Sequence, residues 1–439
     1  MSRPRVVFIC ADTVGDLMAG PAIRAVELAA VMAAAGHPVV VAAPTGSGLH
    51  RAGIELRTWG DPAELRRAVT DAEVIVVFAA VLADHLWLAG LGVPLVVDAY
   101  DPGLLETLEH RRGEPYNAQR TWVADAARHL VAPLQVADAV LVANERQRHL
   151  TLGVLAATGR LGSRITAEDP ALERFILTVP FGLPAVPPVA DRRPLHDDGD
   201  AEGATDAAFV AYWGGGLYPW LDPITLIEAL PLTADPRIRA VFLAGPHPTP
   251  VVGELPLVEV ARARAAALGL GGDRLRFIDH WIPYGERGAW LADADVGVSL
   301  HHAHPETELS FRTRVLDYIW AGLPILCSAG DVLAELVADR DLGLVVPADD
   351  ASAVAAALDR LAAEDPSTRA RRQERLAAVA DEMVWSIVAR PLVELCAAPT
   401  LAADRRVRIE GPEGLLGRLR RALRIIRGRG EGLVTSSGA

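Results

Sequence analysis

Two arginines and an aspartate stand at the start of a predicted helix in the segment 301–328, HHAHPETELSFRTRVLDYIWAGLPILCS. Arg312 and Arg314 fall in its first turns, where a cation opposes the helix dipole, so helix stability does not account for them. An anion bound at that helix end would account for them, because arginine forks bind phosphate well. Asp317 lies farther along the helix and could accept hydrogen bonds from hydroxyl groups of the same ligand. The segment therefore predicts a phosphate site.

Three histidines precede this helix and could in principle bind a metal ion. His301, His302 and His304 directly follow an apolar run that predicts a strand. Neighbouring residues on a strand point to opposite faces, so the three rings are not expected to converge. We predict no metal site here.

Two glycine-containing loops each follow a predicted strand. In the first, 11–24 (ADTVGDLMAGPAIR), Gly20 precedes a helix whose free N–H groups could bind a diphosphate or a sugar hydroxyl. In the second, 213–223 (WGGGLYPWLDP), Gly215 and Gly216 allow close approach of the backbone to a ligand. Either loop could also be a simple turn into a helix. Neither has the GxGxxG spacing, which argues against a nicotinamide dinucleotide.

A fourth cluster of polar residues lies in 96–110, VVDAYDPGLLETLEH. Asp101 stands before a proline at a predicted helix start, so it could simply cap that helix. The alternative function is a carboxylate that faces a ligand cleft at the end of a buried strand.

Composition excludes several classes of protein. The 439 residues include no lysine, which rules out Schiff-base chemistry and the lysine of a P-loop. A formal charge of −13 argues against nucleic acid as the main partner. Three distant cysteines suit a reducing compartment and cannot form a four-cysteine metal site.

The elements that must position these residues are short apolar runs that alternate with helical patterns. Such runs are typical of parallel strands buried on both faces, and they predict an α/β fold. We expect an N-terminal Rossmann-like domain at 1–182, a linker or loop at 183–208, a second Rossmann-like domain at 209–390 and C-terminal helices at 391–439 that return to the first domain. The two domains should face each other across a cleft, where strand ends bind ligands. The runs are 5–10, 38–44, 73–80, 94–100, 138–144 and 174–180, then 209–216, 240–245, 275–280, 295–300, 324–330 and 342–348.

No targeting signal or transmembrane span is expected, because 5–10 is too short for a signal peptide and 73–97 is interrupted by polar residues. We therefore predict a cytoplasmic protein. The segment 413–428 combines five arginines with six leucine and isoleucine residues, which predicts a basic amphipathic helix. It could pack as a final helix, or it could hold the protein peripherally on the inner face of an anionic membrane.

Several of these segments together resemble GT-B glycosyltransferases, specifically the retaining glycosyltransferase family 4. The similarity extends over nearly the whole chain. It rests on GPAIRAVELAAVMAAAGHPVVV, VANERQRHLTLG and VPFGLP in the first domain. In the second it rests on FLAGPHP, FIDHWIPYGERGAWLADADVGVSL and FRTRVLDYIWAGLPILCSAGD. The GGG loop and the FRTRxLDYxWAGLP motif mark a variant branch.

The resemblance implies roles for residues on the donor side. Asp317 takes the place of the second glutamate of the family's Glu-x7-Glu element and would bind the ribose, whereas the first place holds Leu309. The carboxylate that contacts the donor sugar is therefore either Glu306 or Glu308. The GGG loop replaces the usual basic clamp, so Arg312 and Arg314 would neutralise the diphosphate beside Gly215 and Gly216. Trp281 and Ile282 would form the wall of the base site.

On the acceptor side, the resemblance implies Gly20 and either Tyr100 or Asp101. Glu306, Arg312 and Asp101 are the predicted catalytic residues. The implied reaction transfers a sugar, with retention of configuration, from a UDP-, GDP- or dTDP-linked donor to a saccharide, lipid-linked or small-molecule acceptor. No metal and no cofactor are expected. Two alternatives remain open, a nucleotide-sugar epimerase and a non-catalytic GT-B subunit that binds nucleotide sugars.

Overall fold

A computed structural model describes residues 3–196, 208–249, 255–272 and 274–405. The predicted linker 183–208 lies partly outside these residues, and the basic segment 413–428 lies wholly outside them. Within the described chain, no helix is both long and apolar enough to cross a membrane.

Seven parallel strands form the first sheet, in the order β3-β2-β1-β4-β5-β6-β7. Most of their residues are valine, isoleucine, leucine or alanine, and those of the central strands are buried because helices cover both faces. The strands are β1 Val6–Ile9, β2 Val39–Pro44, β3 Ile54–Trp59, β4 Val74–Phe78, β5 Leu95–Asp98, β6 Ala139–Val142 and β7 Ile176–Thr178.

Strand β3 has no counterpart among the apolar runs of the sequence. It lies at the sheet edge, pairs with β2 alone, and reads IELRTW, with charged and polar residues between the apolar ones. An edge strand is only half covered, so it needs no continuous apolar run, and a search for such runs misses it.

The second sheet has six parallel strands in the order β10-β9-β8-β11-β12-β13, one for each of the six predicted runs. The strands are β8 Phe209–Trp213, β9 Ile238–Leu243, β10 Leu275–Ile278, β11 Val296–Ser299, β12 Ile325–Ser328 and β13 Gly343–Val346. In the first sheet the chain runs from β1 outward to β3 and then crosses to β4 on the other side of β1. In the second sheet it runs from β8 outward to β10 and then crosses to β11 on the other side of β8. The loops after β1 and β8 thus stand at the points where ligands bind in such sheets.

The helices follow the strands, and several begin at an aspartate or asparagine whose side chain accepts from the first backbone N–H groups. The first half has α1 Gly20–Ala34, α2 Pro62–Ala68, α3 Ala79–Asp84, α4 Gly103–His110, α5 Tyr116–Val136, α6 Glu145–Ala157 and α7 Ser163–Glu168. The second half has α8 Pro223–Ala229, α9 Pro256–Ala267, α10 Arg287–Ala292, α11 Pro305–Leu309, α12 Thr313–Trp320, α13 Val332–Asp339 and α14 Ala351–Ala362. Three further helices are α15 Pro366–Glu382, α16 Trp385–Val388 and α17 Arg390–Ala397, and 3₁₀ helices span Leu86–Leu91 and Leu230–Leu232.

The end of the described chain packs on the first sheet. Trp385 lies against Phe181 with ring centroids 4.9 Å apart, and a Cβ at Gly182 would stand 2.7 Å from the Trp385 ring. Farther on, Arg405 pairs with the buried carboxylate of Asp138 next to strand β6. The molecule is therefore an α/β protein with two Rossmann-like sheets, and the chain crosses back to the first after completing the second.

Candidate active site

A cleft of about 470 Å³ lies between the two sheets, bounded by loops that follow their strands. This volume is within the usual range for small-molecule sites. Most of the site residues predicted from sequence line it, although they come from widely separated segments. These are Gly20, Asp101, Gly215, Gly216, Trp281, Ile282, Arg312, Arg314 and Asp317.

Arg314, on α12, contacts the glycine loop that follows β8. Its Nη2 donates to the Gly216 carbonyl at 3.0 Å, and its guanidinium lies 5.0 Å from the centroid of the Trp213 ring. The other terminal nitrogen, Nη1, is buried and has no partner within the described chain, where no carboxylate pairs with this residue. Burial lowers the pKa of Arg314 to about 10, so it stays charged at neutral pH. Arg314 can therefore bind an anion.

The glycine loop itself is held open beside this arginine. Gly215 has a φ of 96°, a left-handed conformation that side-chain-bearing residues rarely adopt. The Tyr318 hydroxyl accepts from the Gly214 N–H at 2.9 Å and donates to the Val298 carbonyl, which ties the loop to α12 and β11. These contacts place backbone, cation and the start of α12 around one space.

Arg312 has a different environment although it is only two residues away. Its two terminal nitrogens lie 2.8 and 2.5 Å from the Glu306 carboxylate, and its Nε is 3.8 Å from Asp331. His304 also lies 3.7 Å from Glu306. Arg312 borders the cleft, and its charge is matched by Glu306, whereas Arg314 has no carboxylate partner within the described chain. Both remain predicted diphosphate ligands, and Arg314 is the one whose charge is free for an anion.

The two glutamates expected to contact the donor sugar do not line the cleft. Glu306 is 1% exposed and engaged with Arg312, whereas the Glu308 side chain is exposed and its backbone carbonyl accepts from Arg146 at 3.0 Å. The cause is the short helix α11, which turns one carboxylate inward and the other outward before α12 begins. The structure gives no support to a sugar contact by either residue.

Asp317 faces the cleft from α12. Its Oδ1 accepts from Arg287 Nε at 3.2 Å, and its side chain is 36% exposed. Arg287 in turn stacks on Tyr284 and Trp320, at 3.7 and 4.5 Å from the ring centroids. A carboxylate held on one side and open on the other can accept hydrogen bonds from hydroxyl groups of a ligand.

Trp281 and Ile282 form a wall of the cleft after β10. The indole N–H of Trp281 donates to the Met18 carbonyl at 3.3 Å, which links the second half to the loop after β1. Ile282 is 6% exposed and packs in the core. The pair presents a largely apolar surface beside the cleft.

Sequence reasoning missed a set of aromatic rings here. Tyr218 and Trp220 stack with centroids 4.9 Å apart and an interplanar angle of 2°, and the edge of His110 meets Trp220 at 5.5 Å. His247 lies between Tyr218 and Trp281, at 6.4 and 5.4 Å. The loop motif GGGLYPW contains both rings, but the sequence does not show that Tyr218 and Trp220 stack on each other.

On the acceptor side, Tyr100 and Asp101 from the turn after β5 line the cleft together with Glu106 from α4. The Asp101 and Glu106 carboxyl groups are hydrogen-bonded to each other, and burial and the Asp101 charge raise the pKa of Glu106 well above its ordinary value. Helix α4 is capped at Pro102 instead of Asp101, so capping does not explain Asp101. Tyr100 lies beside them, and a Cβ at Gly20 would approach its hydroxyl to 3.2 Å. The sequence alone gives no role to Glu106, which belongs to the same segment, 96–110.

Asp98 and Asp12 are two further carboxylates near the acceptor end of the cleft, and their partners differ from those of Asp101 and Glu106. Asp98 is paired with Arg24 Nε at 2.7 Å, and Arg24 also donates to the carbonyls of Val179 and Pro180, so this pair supports the strand ends. Asp12, after β1, lines the cleft near His247, and burial raises its pKa. Sequence reasoning did not single out Asp12 as a site residue.

Hydrogen bonds from α6 in the first half of the chain join the acceptor side of the cleft to the segment before α12 in the second half. The side-chain amide of Gln147 donates to the Tyr100 carbonyl at 2.7 Å and to the Leu309 carbonyl at 2.8 Å. Arg146 donates to the Gly330 carbonyl at 2.6 Å and pairs with Glu335 at 2.5 Å. Helix α6 thereby sets the position of one wall of the cleft relative to the other.

The three histidines of the sequence motif lie beyond the end of β11, so strand alternation does not govern them, and each ring contacts a different partner. His301 contacts Asp331 at 3.2 Å, His302 contacts Asp349 at 2.6 Å, and His304 caps α11. Within the described residues one group, Asp222, His302 and Asp349, brings three possible metal-ligand atoms within 4.8 Å of one another, and none of the three lines the cleft.

Part of the second half of the chain matches a known family model. Residues 210–364 match the model described as "Glycosyl transferases group 1". No curated protein sequence matches the chain.

Solved structures similar to this chain are glycosyltransferases of the GT-B fold. Sucrose-phosphate synthase from Thermosynechococcus elongatus has a TM-score of 0.65 at 18% identity, over 90% of this chain and 98% of that one. An α,α-trehalose-phosphate synthase (UDP-forming) from Burkholderia vietnamiensis has a TM-score of 0.62 at 13% identity, over 90% and 99%. Anabaena HepE in complex with UDP-glucose has a TM-score of 0.60 at 18% identity, over 89% and 98%. At these identities the likeness establishes the GT-B fold.

Proposed function

We propose that this protein is a metal-independent, retaining glycosyltransferase that transfers a sugar from a nucleotide diphosphate sugar to an acceptor bound against the first sheet. The observation that carries the proposal is Arg314. It is an uncompensated cation that lies beside a three-glycine loop and at the first turn of α12. Exposed N–H groups at a helix start and an arginine fork are together suited to a diphosphate.

The donor would extend from this diphosphate position along the second sheet. Asp317 would accept hydrogen bonds from the ribose hydroxyls, and Trp281 and Ile282 would cover the base. Anabaena HepE was solved with UDP-glucose, which supports UDP as the first nucleotide to test, ahead of GDP and dTDP.

The proposed reaction forms a bond between the acceptor oxygen and the anomeric carbon and breaks the bond from that carbon to the β-phosphate oxygen. Negative charge grows on the departing phosphate, where Arg314 and the N–H groups of α12 stabilise it. The phosphate takes the proton of the acceptor hydroxyl on the same face of the sugar, which retains the configuration. Protein cations supply the charge stabilisation in this scheme, so it uses no metal ion.

Binding of nucleotides tests the proposal most directly. We expect UDP, GDP or dTDP to raise the melting temperature of the full chain, and Arg314→Gln to weaken that nucleotide's affinity roughly tenfold or more. Arg67→Gln is the matched control, since Arg67 is 70% exposed on α2. Equal affinities of Arg314→Gln and the wild type would refute the assignment of the diphosphate site.

Product analysis separates the proposal from its two alternatives. Mass spectrometry of the donor incubated with acceptors should show a glycosylated acceptor and free nucleoside diphosphate. An epimerised donor of unchanged mass, detected by chromatography, would indicate an epimerase. Donor binding without turnover on any acceptor would indicate a binding subunit.

The acceptor could also be lipid-linked, with the protein held on an anionic membrane by the basic segment 413–428. Its five arginines would each contribute on the order of 1 kcal/mol near such a surface. Sedimentation with anionic and neutral liposomes, comparing the full chain with one truncated after Glu410, tests this. Equal, negligible pelleting of both proteins would leave an acceptor free in solution.

A further inference from the structure

The acceptor end of the cleft has an excess of carboxyl groups. Asp101, Glu106 and Glu306 interact electrostatically with one another and with Arg312. When all four are ionised, three negative charges face one positive charge, a net charge of −2. Both terminal nitrogens of Arg312 are bound to Glu306, so the Asp101–Glu106 pair has no cation of its own within the described residues.

A second feature at the same place is the Tyr100 hydroxyl. Tyr100 is 7% exposed and lines the cleft, and its ring packs under Arg24 at 4.7 Å. A tyrosine hydroxyl beside a cleft can both donate a hydrogen bond to a ligand and accept one from it. Gly20 keeps the space in front of it free, because a Cβ there would lie 3.2 Å away.

A flat aromatic surface also lines the cleft. Trp220 and Tyr218 lie stacked, the edge of His110 touches Trp220, and all three line the cleft. The charges of Arg314, Glu106 and Asp101 all act on Tyr218, which places the rings near both the carboxyl pair and the proposed diphosphate site. Rings of this kind cover the apolar face of a cyclic ligand while its polar groups reach the carboxyls.

We propose that the acceptor is a polyhydroxylated ring that carries a protonated amine, such as an amino sugar or an aminocyclitol, with the ammonium bound between Asp101 and Glu106. The inference rests on the proposed function, of which it specifies the acceptor class. Tyr100 would bind a ring hydroxyl, and Trp220 would cover a ring face. An ammonium group suits the pair because it offers three donors and one positive charge to two acceptors.

Charge balance distinguishes this acceptor from the other classes. A phosphorylated acceptor would add a further anion beside the Asp101–Glu106 pair, whose neighbouring cation Arg312 is already bound to Glu306, while Arg314 is assigned to the donor diphosphate. Such an arrangement is unfavourable in a desolvated site. A neutral acceptor would leave the two carboxyls sharing one proton, because burial and mutual repulsion hold the Glu106 proton in place. An ammonium allows both groups to ionise and to be satisfied at once.

Matched acceptor pairs test the proposal without requiring turnover. The measurement is calorimetric titration of the full chain saturated with UDP, GDP or dTDP. It compares glucosamine with N-acetylglucosamine and glucose, and 2-deoxystreptamine with its N-acetylated form. Glucose 6-phosphate is the anionic probe. We expect at least one amine to bind roughly tenfold or more tightly than its acetylated counterpart, and glucose 6-phosphate not to bind. If no amine exceeds its neutral counterpart, or if glucose 6-phosphate binds best, the proposal is wrong.

Variants assign the effect to the carboxyl pair. Glu106→Gln and Asp101→Asn keep the size of the side chains, and each should abolish the preference for the amine while leaving affinity for the nucleotide unchanged. The control Glu259→Gln removes an acid that is 85% exposed on α9 and should keep the preference. A preference that survives both pair variants would overturn the assignment. If the wild type binds none of the nucleotides, the result would instead count against the proposed function. Failure of the proposed function is therefore distinguishable from failure of the proposed acceptor class.

Discussion

Arg312 holds Glu306 through two parallel hydrogen bonds of 2.8 and 2.5 Å, and both side chains are almost fully buried, at 7% and 1% exposure. Each residue resembles a ligand contact when the sequence is considered alone. In the folded chain they neutralise each other, and Arg314 becomes the cation available to an anionic ligand. One ion pair therefore determines which arginine can bind the diphosphate.

Removing one partner of this pair should destabilise the fold. We expect Glu306→Gln or Arg312→Gln to lower the free energy of unfolding by about 3 kcal/mol, since each leaves a buried charge without its partner. The double variant should cost less than the sum of the two. Urea denaturation of all four proteins measures the coupling, and strictly additive effects would contradict a direct interaction.

Asp317→Asn should weaken nucleotide binding through the ribose. Because Asp317 is 36% exposed and bound to Arg287 on one side only, we expect little change in stability. The matched ligands are UDP and 2′-deoxy-UDP, or the same pair built on whichever base binds. The variant should lose affinity for the ribonucleotide, by roughly tenfold, and much less for a ligand that lacks the contacted hydroxyl.

If the loss is the same for both ligands, the corresponding 3′-deoxy analogue identifies the other hydroxyl. Equal losses for all three ligands would place Asp317 away from the ribose. Asp349→Asn is a suitable control, since Asp349 is 59% exposed and does not line the cleft.

Gly20→Ala should reduce use of the acceptor without harm to folding. Gly20 is the first residue of α1, where alanine is the better helix former, so stability should be equal or higher by up to about 1 kcal/mol. The added methyl would crowd the Tyr100 hydroxyl at 3.2 Å. We expect a raised KM for the acceptor and an unchanged Kd for the nucleotide. An unchanged acceptor KM would show that this space is not part of the acceptor site.

The stability of the ligand-free protein should depend on Glu106 in a pH-dependent manner. Burial first, then the Asp101 charge, raises the Glu106 pKa above its ordinary 4.5, while Glu306 adds to the shift and Arg312 opposes it. A raised carboxyl pKa means that the folded state holds a proton which the unfolded state releases. The contribution of protonated Glu106 to the free energy of unfolding is therefore complete below pH 4.5, and it is lost as the pH rises through the folded-state pKa of Glu106.

The Glu106→Gln variant stays neutral at every pH, so its melting temperature relative to the wild type should increase as the pH rises above 4.5. Melting curves from pH 4 to pH 8 at fixed ionic strength measure this, with Glu259→Gln as an exposed control on α9. A difference between Glu106→Gln and the wild type that does not vary with pH would contradict the raised pKa.

Much of the architecture could be predicted from the chain because parallel strands leave a strong local signal. Of the thirteen strands in the described chain, twelve overlap apolar runs, since most of them are covered on both faces. Strand β3 is the exception because it lies at a sheet edge and alternates charged or polar residues with apolar ones, whereas the other edge strands, β7, β10 and β13, are mostly apolar. The loops after β1 and β8 were located for the same reason, as they follow directly from strand positions.

By itself, the sequence determined the α/β class, the glycine loops at the strand ends and the absence of lysine, all of which depend on neighbouring residues or on composition. Only the tertiary structure decided which side chains are free to act. Glu306 and Arg312 are paired, whereas Arg314 is not, and Glu106 meets Asp101 across the turn into α4. The physical reason is that the charge available to a ligand is what remains after a buried group has found its partner. Packing between segments that are distant in the sequence determines which partner a buried group has. Residue type and spacing do not predict that packing.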